Sequence, residues 1–156
     1  MTPGPKERDC DIRLVYRFTH ECWNRGNLAL VPELVADTCQ HYDRVFPTMA
    51  PGPASLQRLI ERVHRAFPDV TFTILEANRE DDRVRVHWNA TATQAAEFLG
   101  IPVKKKSASI TGTSIYRIQG EKIVENRMKW DVMSLMAQLM GAVGARPAKE
   151  ARRRAG

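Results

Sequence analysis

The segment from residue 123 to residue 141 constrains the fold most, because its residue pattern changes period at a single acidic position. Uncharged and charged residues alternate from Val124 to Trp130, as in a half-buried β-strand. Beyond Asp131, apolar residues recur at the helical spacing of three and four, at Val132, Leu135, Met136 and Leu139. The pattern predicts a strand that runs directly into an amphipathic helix, with Asp131 held at the junction and facing a cavity.

The remaining periodic segments predict three more helices and three more strands. The helices are 9–24, 32–36 and a third that is capped by Ser55 and ended by Pro68; the strands are 70–77, 83–93 and 107–118, before a last strand at 122–129. Residues 37–45 are ambiguous and are interpreted as a short extended piece. This order predicts an α+β fold in which helices cover a strongly curved antiparallel sheet and leave an internal pocket.

The chain has 156 residues, which favours a single domain with a core of its own. We predict a flexible leader at 1–8, one domain at 9–143 and a basic, disordered tail at 144–156. The N-terminus has no apolar signal core, and no stretch has the roughly 18 apolar residues of a membrane span. We therefore expect a cytoplasmic protein that does not bind a membrane.

The predicted tail carries much of the net charge. Residues 145–156 hold five basic residues and one acidic residue, and so contribute +4 to a total of +6. Such a segment could contact nucleic acid or an acidic partner, or it could be a solvated terminus. No aromatic residue is interleaved in it, so base stacking is not indicated and nucleic-acid binding is not expected.

The cysteines and histidines do not form a recognisable metal motif. Cys10, Cys22 and Cys39 lack paired spacing, which favours reduced thiols, and Cys22 and Cys39 are interpreted as core residues. The four histidines lack metal-site spacing, and no glycine-rich phosphate loop is present. We expect neither a metal nor a cofactor.

Four segments of the chain resemble a known family. They are WNRGNLALVPELVAD, AFPDV, EFLGIP and SIYRIQGEKIVENRMKWDVMSLMAQL, and together they run from about Tyr16 to Leu139. They are similar to the SnoaL-like polyketide cyclases of the nuclear transport factor 2-like superfamily. The resemblance implies a cone-shaped barrel with a deep apolar pocket, cofactor-free ring closure on a polyketide-type small molecule, and a homodimer or homotetramer.

The resemblance also assigns an acid/base residue. The family has an aspartate six residues after a glutamate, followed by Leu-x-x-Gln-Leu, and Glu125 and Asp131 match this pattern. The family commonly has a histidine near the position of His41. Three departures alter the implied pocket: Arg127 replaces a tryptophan, residues 92–96 lack the usual Gly-Thr-His motif, and residues 103–105 lack Pro-Thr-Gly.

Each candidate residue has a functional and a structural interpretation. Asp131 is the predicted acid/base, since burial among apolar groups strengthens a carboxylate as a base, but it could equally be a helix N-cap. Arg117 and Arg127 could stabilise a developing enolate or pair with Glu125. His41 could donate a proton or tie a loop to a backbone carbonyl.

Three further residues are candidates for substrate binding. His87, Tyr16 and Trp88 could line the pocket, while core packing or surface exposure is the alternative for each.

The predicted activity is an aldol-like, acid/base-catalysed intramolecular ring closure in natural-product or antibiotic biosynthesis, an isomerase or lyase reaction. Two alternatives remain at this stage. One is an epoxide-opening cyclase or hydrolase, or a hydroxylase-like relative. The other is a non-catalytic small-molecule binder or oligomerisation module on the same fold.

Overall fold

The computed structural model describes residues 5–141 of the chain. The helical elements are α1 (Pro5–Arg17), which continues as a π-helix (Phe18–Asn24), a 3₁₀ turn (Leu28–Leu30), α2 (Val31–Leu34), α3 (Pro53–Ala66) and α4 (Val132–Met140). The strands are β1 (Val35–Asp43), β2 (Thr71–Glu80), β3 (Arg83–Thr93), β4 (Ser107–Gln119) and β5 (Lys122–Trp130). The predicted tail lies outside the described residues, and α1 begins four residues before the predicted boundary at Asp9.

Within the described residues, five strands form one mixed sheet in the order β1-β5-β4-β3-β2. The pairs from β2 to β5 are antiparallel, as predicted, but β1 lies parallel to β5 with His41 opposite Asn126. The α+β class is confirmed, whereas a wholly antiparallel sheet is wrong because the ambiguous segment 37–45 forms most of β1. The sheet is not closed, since β1 and β2 remain its edges.

The core lies between the inner face of the sheet and the helices. Strand alternation turns every second residue inward, so Val84, Val86 and Trp88 of β3 are buried while Arg83, Arg85 and His87 are exposed. Cys22 and Cys39 are fully buried, as predicted, and burial raises the pKa of each thiol to about 12. These thiols are therefore core residues and not nucleophiles.

The start of α3 differs from the prediction. Gly52 precedes the helix with φ of 98°, and Pro53 occupies its first turn, where a missing N–H costs nothing. Ser55 lies inside that turn, and its hydroxyl donates to the carbonyl of Ala50 at 2.5 Å. The prediction of Ser55 as N-cap is wrong because Pro53, whose fixed φ suits the first helical position, begins the helix two residues earlier.

Across residues 5–141, every helix is too short or too polar to cross a membrane.

Candidate functional site

An apolar cavity of about 80 Å³ lies between the inner face of the sheet, α3 and α4. Helix α3 contributes Leu59 and Val63, and α4 contributes Leu135. The other lining residues are Trp23, Asp43, Phe46, Phe67, Val70, Phe72, Trp88, Ala90, Ala92, Phe98, Ala108, Ile110, Met128 and Trp130. The cavity is thus enclosed by aromatic and aliphatic side chains drawn from most of the chain.

Small residues create this space. Ala90, Ala92 and Ala108 occupy inward positions of β3 and β4, where larger side chains would fill the cavity. Gly112 lets the indole of Trp88 lie directly over the backbone of β4, because a Cβ there would come within 2.2 Å of Trp88 Cζ2. Trp88 Nε1 also donates to Ser114 Oγ at 3.0 Å, which fixes this wall of the cavity.

Asp43 is the only charged side chain among the described residues that line the cavity. It is the last residue of β1 and is half-buried. Its Oδ2 accepts a hydrogen bond from Trp130 Nε1 at 3.2 Å, and its Oδ1 accepts one from the backbone N–H of Val45 at 2.8 Å. Both carboxylate oxygens are therefore held by hydrogen bonds, one from the cavity wall and one from the backbone that follows β1.

Asp131 has a different environment from the one predicted. It is exposed, it does not line the cavity, and its Oδ1 accepts a hydrogen bond from the backbone N–H of Ser134 at 2.9 Å. Alternation explains this placement, because Trp130 points inward and the next residue points away. The prediction that Asp131 faces a cavity is wrong, and the geometry matches the alternative N-cap role; its part in catalysis stays a prediction.

His41 lies two residues before Asp43 on the same inward face of β1, but it does not line the cavity. It is 8% exposed, and its Nε2 donates to the carbonyl of Gly52 at 2.8 Å. Burial lowers the pKa of His41, although this hydrogen bond partly opposes the shift. The ring therefore links the loop before α3 to the sheet. This geometry matches the second interpretation given for His41, a structural hydrogen bond to a backbone carbonyl.

Arg117 and Arg127 lie on the outer face of the sheet, opposite to the cavity. Both contact Glu125, with Arg127 Nε at 2.7 Å from Oε1 and Arg117 Nε at 3.6 Å from Oε2. The guanidinium of Arg127 also lies 4.2 Å from the ring centroid of Tyr42. The prediction that they serve a pocket is wrong for this cavity, because their odd-numbered positions share the outward face of β4 and β5.

The three other candidate residues are divided between the surface and the cavity wall. His87 is exposed on the outer face, where its Nδ1 lies 3.1 Å from Thr113 Oγ1. Tyr16 is 38% exposed on α1 and stacks loosely on His20. Trp88 lines the cavity, while His87 and Tyr16 do not.

Asp43, Phe46 and Phe98 line the cavity but were not among the residues predicted from the sequence. The alternation of Cys39, His41 and Asp43 was a usable signal for a strand that turns these three side chains to one face. Phe46 and Phe98 lie in irregular connections, so no period pointed to them.

The donor groups do not suggest a metal centre. Among the described residues, no three His, Cys, Asp or Glu side chains are clustered closely enough to hold a metal ion.

The fold and the cavity define an α+β protein in which helices and a mixed sheet enclose an apolar space with the carboxylate of Asp43 on its wall. The family model of the SnoaL-like polyketide cyclases matches residues 13–139. The chain therefore belongs to the SnoaL-like polyketide cyclase family, which confirms the resemblance seen in the sequence.

Solved structures with the same fold include TsrD from Streptomyces laurentii, which is 20% identical with a TM-score of 0.77 over 89% of this chain and 98% of that one. A proposed SnoaL-like polyketide cyclase from Jannaschia sp. CCS1 is 17% identical with a TM-score of 0.79, covering 89% and 96%. AclR, a proposed hydroxylase from Streptomyces galilaeus, is 24% identical with a TM-score of 0.74, covering 88% and 98%. At these identities the likeness concerns the fold alone. No protein with a curated description matches the sequence.

Proposed function

We propose that this chain is a cyclase of natural-product biosynthesis that closes a ring in a polyketide-type substrate by acid/base catalysis, without a cofactor. The observation that supports this most directly is an apolar cavity whose wall carries the carboxylate of Asp43, held by two hydrogen bonds. Membership of the family supports the class of substrate.

The cavity walls suit a carbon-rich substrate. Burial of apolar surface favours its binding by roughly 25 cal/mol per Å². The aromatic rings of Trp88, Trp130 and Phe98 provide flat surfaces for planar, conjugated groups. Since water competes poorly in such surroundings, a carboxylate there acts on the substrate without a full hydration shell.

In the proposed reaction, Asp43 removes a proton from a carbon next to a substrate carbonyl. The electron pair left on that carbon attacks a second carbonyl of the same molecule, which forms the ring bond and converts that carbonyl oxygen to an alkoxide. The protonated Asp43 then returns the proton to the alkoxide, so the step is an isomerisation with no net proton change. Trp130 and Val45 keep both carboxylate oxygens aimed along the wall throughout.

The cavity volume limits how much of the substrate is enclosed. About 80 Å³ is well below the roughly 300 Å³ at the lower end of ordinary ligand pockets. We propose that the reacting segment occupies the cavity while the rest of the molecule extends past the aromatic rim.

Proton abstraction can be tested without knowing the natural substrate. In D₂O, the wild-type protein should catalyse deuterium exchange at the α-carbon of 4-phenylbutan-2-one. Proton NMR measures this exchange as the loss of the α-proton signal. Asp43→Asn should lower the catalysed exchange rate by about 10² to 10⁴, because a neutral amide does not act as a base near pH 7. If Asp43→Asn catalyses exchange at the wild-type rate, Asp43 is not the base that removes the proton.

Asp131→Asn is the matched control, since it makes the same chemical change at the helix cap. Asn caps a helix about as well as Asp, so this variant should keep both exchange and stability, whereas Asp131→Ala should lower the free energy of unfolding by about 1 kcal/mol. A loss of exchange in Asp131→Asn with unchanged stability would instead support the family's assignment of Asp131.

A second candidate function is a non-catalytic small-molecule-binding module. It is favoured by the near absence of polar groups among the described lining residues. Ligand binding without exchange or ring closure in the wild-type protein would support it. The homo-oligomeric state implied by the resemblance also remains a proposal.

A further inference from the structure

A surface groove of about 600 Å³ lies on the solvent side of α3, next to the cavity rim. It is bordered by side chains of α3 and of the connection between β3 and β4. Its charged residues are Arg58, Arg62, Arg65, Glu61 and Glu97, and its other residues are Ala66 and Ala96. We name it the arginine groove.

The charges in the arginine groove are unevenly paired. Arg65 forms an ion pair with Glu61 at 3.4 Å, and the carboxylate of Glu97 accepts a hydrogen bond from the backbone N–H of Gly100 at 2.5 Å. Among the described residues, Arg58 and Arg62 have neither an ion pair nor a hydrogen bond with a side chain or carbonyl. They are one helical turn apart, so two unpaired guanidinium groups share one face of α3.

Arg62 connects this groove to the cavity. Its guanidinium carbon lies 5.4 Å from the ring centroid of Phe46 and 5.7 Å from that of Phe98, within the range of a cation–π contact. Phe46 and Phe98 line the cavity, and their ring centroids are 6.5 Å apart. Since Arg62 itself is exposed, these two rings separate the apolar cavity from an unpaired cation.

We propose that the substrate is an apolar acid whose carbon skeleton occupies the cavity and whose carboxylate binds Arg62, with Arg58 adding to the attraction. This inference rests on the proposed function, and it specifies the substrate class of the same site. A guanidinium presents paired N–H donors that match a carboxylate, and an exposed rim lets the charge remain partly hydrated. The small cavity agrees with a substrate that extends past the rim.

The test uses two probes of the same carbon skeleton, the anionic 5-phenylpentanoate and the neutral 5-phenylpentanamide. All three tryptophans of the chain, Trp23, Trp88 and Trp130, line the cavity, so tryptophan fluorescence reports its occupation directly. For the wild-type protein we expect the acid to bind about five- to tenfold more tightly than the amide at low salt. Raising the NaCl concentration should reduce this ratio, because salt screens an exposed ion pair.

Arg62→Gln should bring the acid-to-amide ratio close to one, because it weakens binding of the acid more than binding of the amide. Arg65→Gln is the matched control, because it removes the same charge from the same groove at a residue that is already paired with Glu61. Arg65→Gln should keep most of the preference for the acid.

Arg62→Lys retains the charge and should also keep the preference for the acid. This variant separates an effect of charge from a change in the shape of the rim. Thermal unfolding verifies that each variant is folded.

Equal affinities for acid and amide in the wild-type protein, or an equal loss in Arg65→Gln and Arg62→Gln, would overturn the inference. The first result leaves the proposed function intact, since the amide still occupies the cavity. If neither probe binds while the wild-type protein still catalyses exchange of 4-phenylbutan-2-one, only the inference fails; if binding and exchange are both absent, the proposed function fails as well. If Asp43→Asn keeps wild-type exchange while the acid preference persists, only the catalytic assignment fails.

Discussion

The two ends of the inner sheet face have the same strand alternation and yet differ in what they enclose. At the cavity end, Ala90 and Ala108 leave space beneath Trp130. At the packed end, Val84 and Tyr116 fill the interior together with Phe18 of the π-helix, whose ring lies 5.9 Å from that of Tyr116. Side-chain volume at inward positions, and not the periodic pattern, therefore decides where this fold has a cavity.

The packed end should respond most strongly to truncation. Phe18 is fully buried, so Phe18→Ala should lower the free energy of unfolding by about 3–5 kcal/mol through lost burial and a new cavity. Phe46→Ala is the matched change at the cavity end, where the ring is half-buried and already borders a space. In chemical denaturation, Phe46→Ala should lose less than half as much free energy of unfolding as Phe18→Ala. Equal losses in the two variants would contradict the comparison.

The boundary between the two ends should be sensitive to added volume. Gly112→Ala places a methyl group against the indole of Trp88, which must move toward the cavity, and we expect a loss of about 1–3 kcal/mol. A smaller cavity should also weaken binding of 5-phenylpentanamide. Thr113→Ala, on the outer face of the same strand, should cost about 1 kcal/mol or less and leave binding unchanged.

The buried polar groups of the packed end should give the smallest effect, one that depends on pH. Because the pKa of His41 is lower in the folded chain than its ordinary value of 6.5, the unfolded chain takes up a proton first. The folded state is therefore fully stable with respect to this group above about pH 6.5 and loses stability as pH falls below it. The slope contributed by one such group is at most about 1.4 kcal/mol per pH unit.

His41→Gln tests this, since a glutamine amide can still donate to the carbonyl of Gly52 but does not titrate. Urea unfolding between pH 5 and 8 should show a flatter decline for the variant than for the wild-type chain. Parallel declines would show that His41 is not the group responsible.

Tyr116 is another buried polar residue at the packed end. Full burial raises the pKa of its hydroxyl to about 12, although a hydrogen bond with Ser114 opposes the shift. Together with His41 and Asn126 it forms a buried polar row on β1, β5 and β4, in which Asn126 lies opposite both His41 and Tyr116.

Local patterns predicted much of the fold. The span of β3 agrees with the prediction, and the junction at Asp131 between β5 and α4 is correct, because strand and helix periods are properties of neighbouring residues. The family was also identified correctly from four short segments of sequence. The candidate site was predicted less well, because a side chain's direction relative to a cavity depends on strand pairing over long distances.

The alternation of residues along the strands and the position of Asp131 at the change of period follow from the sequence alone. Which carboxylate reaches the cavity depends instead on how the strands pair. Asp43 does so because β1 pairs in parallel with β5, 85 residues further along at Met128, and brings it beside Trp130. That pairing is non-local, so its stabilisation comes from contacts that no stretch of neighbouring residues contains.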